Sequence, residues 1–334
     1  MQKLALAASV LTIALEVTAG SASAQTVPAT SAPVGNPLGL PVLPVAGTPF
    51  KPMSSNVKVF GSVYSAESCS YDAERGVIVI PNRGAPQTVR ANDAWITFLN
   101  HDGSVHTSRW IGVQNAGSQR DSLSPPLVLN EPYGSDIVNG VLYLADRDGG
   151  MAADVPSTFV IRRFDMKTGA ALAGIPVSGA PFVNDIAVDT DGTIYATATG
   201  AGQLWRVRAG EQATVFASGA HLNRPNGIAL DRQRHIVVVN SGGDSVLTFS
   251  HEGAVLRTER AAQAGSDGIV IMEDGTKYVS SVYNGGVSRI RPGRPAELIA
   301  ENIPTAASMC YDAGAKQLVI PMNENNGVAF IKVP

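Results

Sequence analysis

The chain has 334 residues, 44 % of them apolar and 16 % charged, with 25 basic against 28 acidic side chains. Charge this close to balance, with no basic stripe interleaved with aromatics, gives a phosphate backbone nothing to bind and excludes a nucleic-acid partner. The two cysteines, Cys69 and Cys310, have neither CxxC spacing nor a histidine pair beside them, which excludes a zinc or dithiol motif.

Residues 1–24 read as a secretory signal peptide. Lys3 is the early positive charge, Leu4 to Leu15 the apolar stretch, and Ala22-Ser23-Ala24 the small-residue cleavage site before Gln25. The expected location is therefore periplasmic or secreted. No later run reaches the roughly 18 apolar residues of a membrane helix. Residues 25–52 carry Pro28, Pro33, Pro37, Pro41, Pro44, Pro49 and Pro52 with little charge and no helical or strand period, the composition of an extended linker. Residues 53–334 are left as one domain.

That domain repeats itself. A small or polar residue opens an apolar β-rich segment, a short Asp/Gly turn follows, and a second strand ends in polar residues. The first copy is Glu67-Ser68-Cys69-Ser70-Tyr71-Asp72 followed by Val77 to Ile80, and the second Ser135-Asp136-Ile137-Val138 followed by Val141 to Leu144. The third is Asn184-Asp185-Ile186-Ala187-Val188 with Ile194 to Ala196, and the fourth Asn226-Gly227-Ile228-Ala229-Leu230 with Ile236 to Asn240. The fifth is Asp267-Gly268-Ile269-Val270-Ile271 with Tyr278 to Ser280, and the sixth Ala307-Ser308-Met309-Cys310 with Leu318 to Ile320. The spacing settles to about 40 residues, with four short strands per unit, which is the signature of a propeller blade and not of a helical solenoid. The expectation is an all-β, six-bladed β-propeller. The wide gap between the first two copies predicts a Ser/Gly/Asn-rich insertion over His101 to Leu129. The last copy stops after its third strand, Val328 to Val333, so Asn56 to Phe60 is expected to supply the fourth and close the ring.

The first strand of a blade lines the central tunnel, so Glu67, Ser135, Asn184, Asn226, Asp267 and Ala307 should converge at one end. Four of them are carboxylates or carboxamides, an oxygen donor set suited to a hard cation, calcium above magnesium. A plainer reading makes Asn226 and Asp267 turn punctuation; it does not explain Glu67 and Asn184, which no turn glycine follows. Second strands run back to the same end and place Asn82, Arg83, Asp146, Arg147, Asn240, Tyr283 and Asn323 around a pocket. Arg83 or Arg147 could fork onto a substrate carboxylate or phosphate, the alternative being solvated loop arginines. His221 falls on the loop entering the fourth unit.

Ala66-Glu67, Phe182-Val183-Asn184-Asp185, Arg224-Pro225-Asn226-Gly227-Ile228, Ser266-Asp267-Gly268 and Asn323-Glu324-Asn325-Asn326 together resemble the SMP-30/gluconolactonase/LRE superfamily, which includes the paraoxonases and the squid-type phosphotriesterase. The resemblance implies a catalytic calcium, or another divalent cation, on Glu67, Asn184, Asn226 and Asp267, with Asp267 as base or nucleophile. It implies a hydrolase acting on a small-molecule lactone of sugar type, expected as a monomer. The chain departs from the family where Glu67-Ser68-Cys69 replaces Glu-Gly-Pro, and no histidine stands in the second unit or at Asn323. Those departures favour the alternative, a non-catalytic periplasmic binding or scaffold propeller of the NHL kind. Cys69 and Cys310 lie at opposite parity on the first strands of units one and six, either facing each other, as a disulfide, or facing away.

Overall fold

The computed structural model describes residues 53–61, 63–84, 94–112, 127–148, 158–208 and 210–334. The signal-peptide and linker expectations fall on residues outside these. Six four-stranded antiparallel sheets follow one another along the chain as the blades of a six-bladed β-propeller. Blade one is β2 (Ser70–Asp72), β3 (Val77–Asn82), β4 (Trp95–Leu99) and β5 (Val105–Gly112). Blade two is β6 (Pro132–Val138), β7 (Val141–Asp148), β8 (Thr158–Asp165) and β9 (Ala171–Pro176). Blade three holds β10 (Ile186–Val188), β11 (Ile194–Ala198), β12 (Gln203–Val207) and β13 (Thr214–Ser218). Blade four holds β14 (Pro225–Leu230), β15 (Ile236–Asn240), β16 (Ser245–Phe249) and β17 (Val255–Arg260), and blade five β18 (Ser266–Ile271), β19 (Lys277–Ser281), β20 (Val287–Ile290) and β21 (Glu297–Ala300).

Blade six is built from both ends of the domain. β22 (Cys310–Asp312), β23 (Gln317–Met322) and β24 (Gly327–Lys332) come from the C-terminal end, and β1 (Val57–Phe60) pairs antiparallel with β24, Val57 opposite Ile331. The closing strand is where the strand count requires it, and it covers an edge that would otherwise present unpaired backbone groups. At the same junction a Cys69–Cys310 disulfide joins the innermost segments of blades one and six.

Both faces of each blade are buried, so its middle strands read as unbroken apolar runs. β3 shows the division: Val77 and Val79 pack toward blade two, Ile78 and Ile80 toward blade six. The core is accordingly a set of wedges, each holding one blade on the next. Glycine serves this packing on the inner strands, where a Cβ on Gly227 would overlap the carbonyl oxygen of Asp267.

Two expectations change. The supposed insertion over His101 to Leu129 contains β5, the regular outer strand of blade one. Its burial is low and its register with β4 is broken twice, so the polar residues of Val105–Gly112 gave no strand period. The second unit also opens two residues earlier than Ser135. Pro132 pairs with Asp146 and Ser135 with Leu144 across a register shift, as Pro225 pairs with Asn240 and Ile228 with Val238. Tyr133, not Ser135, therefore stands level with Asn226 and Asp267. The Ser135-Asp136 pair imitated Asn184-Asp185, and an aromatic residue broke the polar pattern.

Candidate active site

Bulges aim the site residues. Between Pro225 and Ile228, and between Ser266 and Ile269, the inner strand slips register against its neighbour, and the residues inside each slip are Asn226 and Asp267. The flanking backbone is tied down. Thr199 Oγ1 donates to the Pro225 carbonyl (2.7 Å), the Gly268 amide donates to Ser280 Oγ (2.8 Å), and that hydroxyl donates to the Ala307 carbonyl (2.8 Å). Asn184 is fixed by its amide donating to the Thr197 carbonyl (2.9 Å), while its own carbonyl accepts from Gly134 (2.8 Å).

Glu67, Asn184, Asn226 and Asp267 all line one cavity of about 510 Å³ at the tunnel end, together with Arg83, Tyr133, Asn323 and the rim residues Arg224 and Tyr283. All four are buried, and each has one side-chain oxygen with no hydrogen-bond partner among the described residues: Glu67 Oε2, Asn184 Oδ1, Asn226 Oδ1 and Asp267 Oδ1. The Asn226 amide nitrogen donates to Asp267 Oδ2 (2.9 Å), which leaves the carbonyl oxygen of Asn226 as its free acceptor. Buried polar atoms are nearly always paired, and leaving one unpaired costs about 1–3 kcal/mol.

The carboxyls are held away from their usual range. Burial raises Glu67 well above it, and the Asp267 and Asp185 carboxyls add to the rise while the Arg83 guanidinium opposes it. Burial and the Asp185 carboxyl push Asp267 up to about 8, against the Asn226 amide and Arg83. The Arg83 guanidinium offsets the buried carboxyls of this corner only in part. Two carboxylates and two carboxamides, with no nitrogen or sulfur donor, fit a hard divalent cation. Among the described residues no three His, Cys, Asp or Glu side chains cluster for a metal, so the carboxamides would complete any such set.

The opposite end of the tunnel gives the contrast. A cavity of about 340 Å³ there is lined by Asp136 and Asp185, raised by burial to about 6 and about 7. Their oxygens are occupied: Asp136 accepts from the Ile137 and Val188 amides, and Asp185 from the Ile186 and Ile228 amides and Ser308 Oγ. These carboxyls join neighbouring blades and offer no free acceptor.

Of the residues expected around the pocket, Arg83, Asn323 and Tyr283 line it and Arg147 and Asn240 do not. Arg147 donates from Nε to Glu131 Oε2 (2.6 Å), and Tyr133 donates its hydroxyl to Glu131 Oε1 (2.6 Å). Asp146 accepts the Glu131 amide (2.7 Å) and Arg162 Nε (3.0 Å). This network positions Tyr133 and leaves Arg147 and Asp146 on structural duty. Asn240 is fully buried and donates to Ser245 Oγ, and Asn82 accepts the Tyr64 amide. His221 is exposed against Phe249, and none of the five histidines lines the pocket. Sequence reasoning missed Tyr133, hidden by the register slip, and Arg224, which stands directly before the Pro-Asn-Gly segment. Arg224 takes φ 58°, a region non-glycine residues visit rarely, and its Nη2 donates to the Tyr283 hydroxyl (3.3 Å).

No protein-family model matches the chain, and no curated protein matches it. Among solved structures it is similar to a virginiamycin B lyase from Staphylococcus aureus, at 12 % identity and TM-score 0.57, over 85 % of this chain and 100 % of that one. It is also similar to a gluconolactonase from Xanthomonas campestris, at 15 % identity and TM-score 0.56, over 84 % of this chain and 91 % of that one. At such identities the likeness extends to the six-bladed propeller fold and leaves the chemistry to be argued from the site's own side chains.

Proposed function

We propose that the chain is an exported, calcium-dependent hydrolase that opens a lactone of sugar type. The observation that carries this reading is the set of four unpartnered oxygens, one each on Glu67, Asn184, Asn226 and Asp267, brought from four blades to the floor of one pocket. Their amide content suits calcium, which accepts neutral oxygens and irregular geometry, better than magnesium. When bound there, the metal supplies Lewis-acid polarisation of the substrate carbonyl.

Asp267 is the base. Its Oδ2 is oriented by the Asn226 amide, and it takes a proton from the attacking water. The ring C–O bond then breaks, and the proton passes from the Asp267 carboxyl to the departing ring oxygen. Lactone and water thus give one hydroxy acid, with no other reactant. The deep placement of the base in the tunnel keeps bulk water from competing for that proton. The gluconolactonase neighbour supports a lactone substrate. The lyase neighbour is less apt: a variant of the Staphylococcus aureus enzyme with a histidine replaced by alanine is described as catalytically inactive, and here no histidine reaches the pocket. The Cys69–Cys310 disulfide supports export to an oxidising compartment.

The test is protein stripped with chelator, then reloaded with calcium and assayed for metal content, melting temperature and turnover on a lactone panel. The expected result is one calcium per chain, a melting temperature raised by binding to the folded state alone, and hydrolysis that chelation abolishes. Calcium-dependent stability with no turnover would favour the binding or scaffold propeller. Metal content and melting temperature unmoved by chelator would overturn the site.

A further inference from the structure

The Arg83 side chain is 1 % exposed, lines the same pocket, and has its donors in two different situations. Nη1 donates to Asn323 Oδ1 (3.1 Å), and the guanidinium lies over the Tyr133 ring with Cζ 4.4 Å from the centroid. One donor and one face are therefore fixed. Nε and Nη2, the two nitrogens of the side-on edge, have no hydrogen-bond partner among the described residues. Arg147 shows what that edge takes: its Nε and Nη2 both hold Glu131 Oε2, at 2.6 and 2.5 Å. The Glu67 and Asp267 carboxyls of the same pocket act on this guanidinium through space but accept no hydrogen bond from its side-on edge, and parallel N–H donors on one edge match a planar carboxylate. A divalent cation would balance Glu67 and Asp267 and leave Arg83 as excess positive charge on the pocket floor.

We propose that Arg83 is the anchor for a carboxylate on the substrate, so that the pocket takes a carboxylate-bearing lactone, the monolactone of a sugar dicarboxylic acid. The word lactone rests on the hydrolase reading; the carboxylate anchor rests on Arg83, Asn323 and Tyr133. Neutral aldonolactones then become the poorer substrates, because they leave the side-on edge unmatched.

The experiment compares glucaro-1,4-lactone with glucono-1,4-lactone, which has the same ring and a terminal CH2OH in place of the carboxylate. For wild-type protein in saturating calcium the kcat/KM ratio should favour the anionic lactone by about tenfold or more, the scale of hydrogen bonds to a charged group. Arg83→Gln should bring the ratio to about one, and Arg83→Lys, which keeps the charge without the fork, to a value between. A wild-type ratio of one or below overturns the proposal, whatever the variants do. If Arg83→Gln does not fold, the wild-type and Arg83→Lys ratios decide. If neither lactone turns over, it is the hydrolase reading that has failed, and calorimetry with the same two unhydrolysed lactones tests the anchor alone. Tighter glucaro-1,4-lactone binding that Arg83→Gln removes supports it, and equal or absent binding overturns it.

Discussion

Asp267, oriented by the hydrogen bond from Asn226, carries two separable duties in the proposed mechanism, holding a metal and accepting a proton. Asp267→Asn keeps an oxygen and the shape but removes the proton acceptor. Calcium should still raise its melting temperature, while turnover on a lactone the wild type hydrolyses drops by roughly two orders of magnitude or more. Retention of full activity would refute the role of base. Asn226→Asp replaces the donated hydrogen bond with two carboxylates side by side, so the chelated protein should melt lower than wild type and the calcium-loaded one should gain more from the metal; paired melts with and without calcium read both. The convergence of Glu67, Asn184, Asn226 and Asp267 on one pocket was legible in the sequence because each opens a repeat unit at the same point of its register. Tyr133 was not, since an aromatic residue within a strand looks like ordinary core. Arg83 and Arg147 looked alike in sequence, and only the position of the Glu131 carboxylate separates them.

At the scale of strands, the ring is fastened where blade six is assembled. Val59 on β1 is fully buried in the wedge between blades five and six, among Leu318, Ile320 and Ala329. Val59→Asp would place an unpaired charge there and peel β1 from β24, exposing a strand edge. Loss of cooperative melting and growth of aggregates, followed by calorimetry and light scattering, are the expected outcomes. The disulfide fastens the same seam from the tunnel side across a separation of 241 residues. Reduction, or Cys69→Ala with Cys310→Ala, should cost about 2–5 kcal/mol in denaturant unfolding, toward the upper end because the closed loop is long. A change under 0.5 kcal/mol would show that β1 alone holds the ring. The closing strand was legible because blade six had one strand too few. β5 was not, because an outer strand facing water carries no apolar rhythm, and the bulges within the inner strands slid the count in blade two by two residues.

Over the whole molecule, buried carboxyls set how stability depends on pH. Asp136, Asp185 and Asp267 titrate near 6, 7 and 8 when folded, all above the usual carboxylate value of 3.8. A carboxyl raised by folding keeps its proton in the native state over a window where the unfolded chain has already lost it. The native state then binds more protons, so stability falls as pH rises from about 4 to about 8. Chelated protein should therefore melt progressively lower from pH 5 to pH 8. Calcium, by favouring the ionised forms of Glu67 and Asp267, should flatten the upper part of that slope and leave the part due to Asp136. Melting curves in matched buffers check this, and a flat profile in chelator would mean that these carboxyls are ionised throughout.

The seam also orders events in time. Cys69 emerges from synthesis 241 residues ahead of Cys310, an interval of roughly 12–50 s at ordinary elongation rates. With two cysteines in the whole sequence, the early thiol has no wrong partner within its own chain, and its only misstep is a bond to a neighbouring molecule. The covalent link becomes possible only once Cys310, the first residue of β22, has been made, so a chain truncated before residue 310 is marked by a thiol it cannot close.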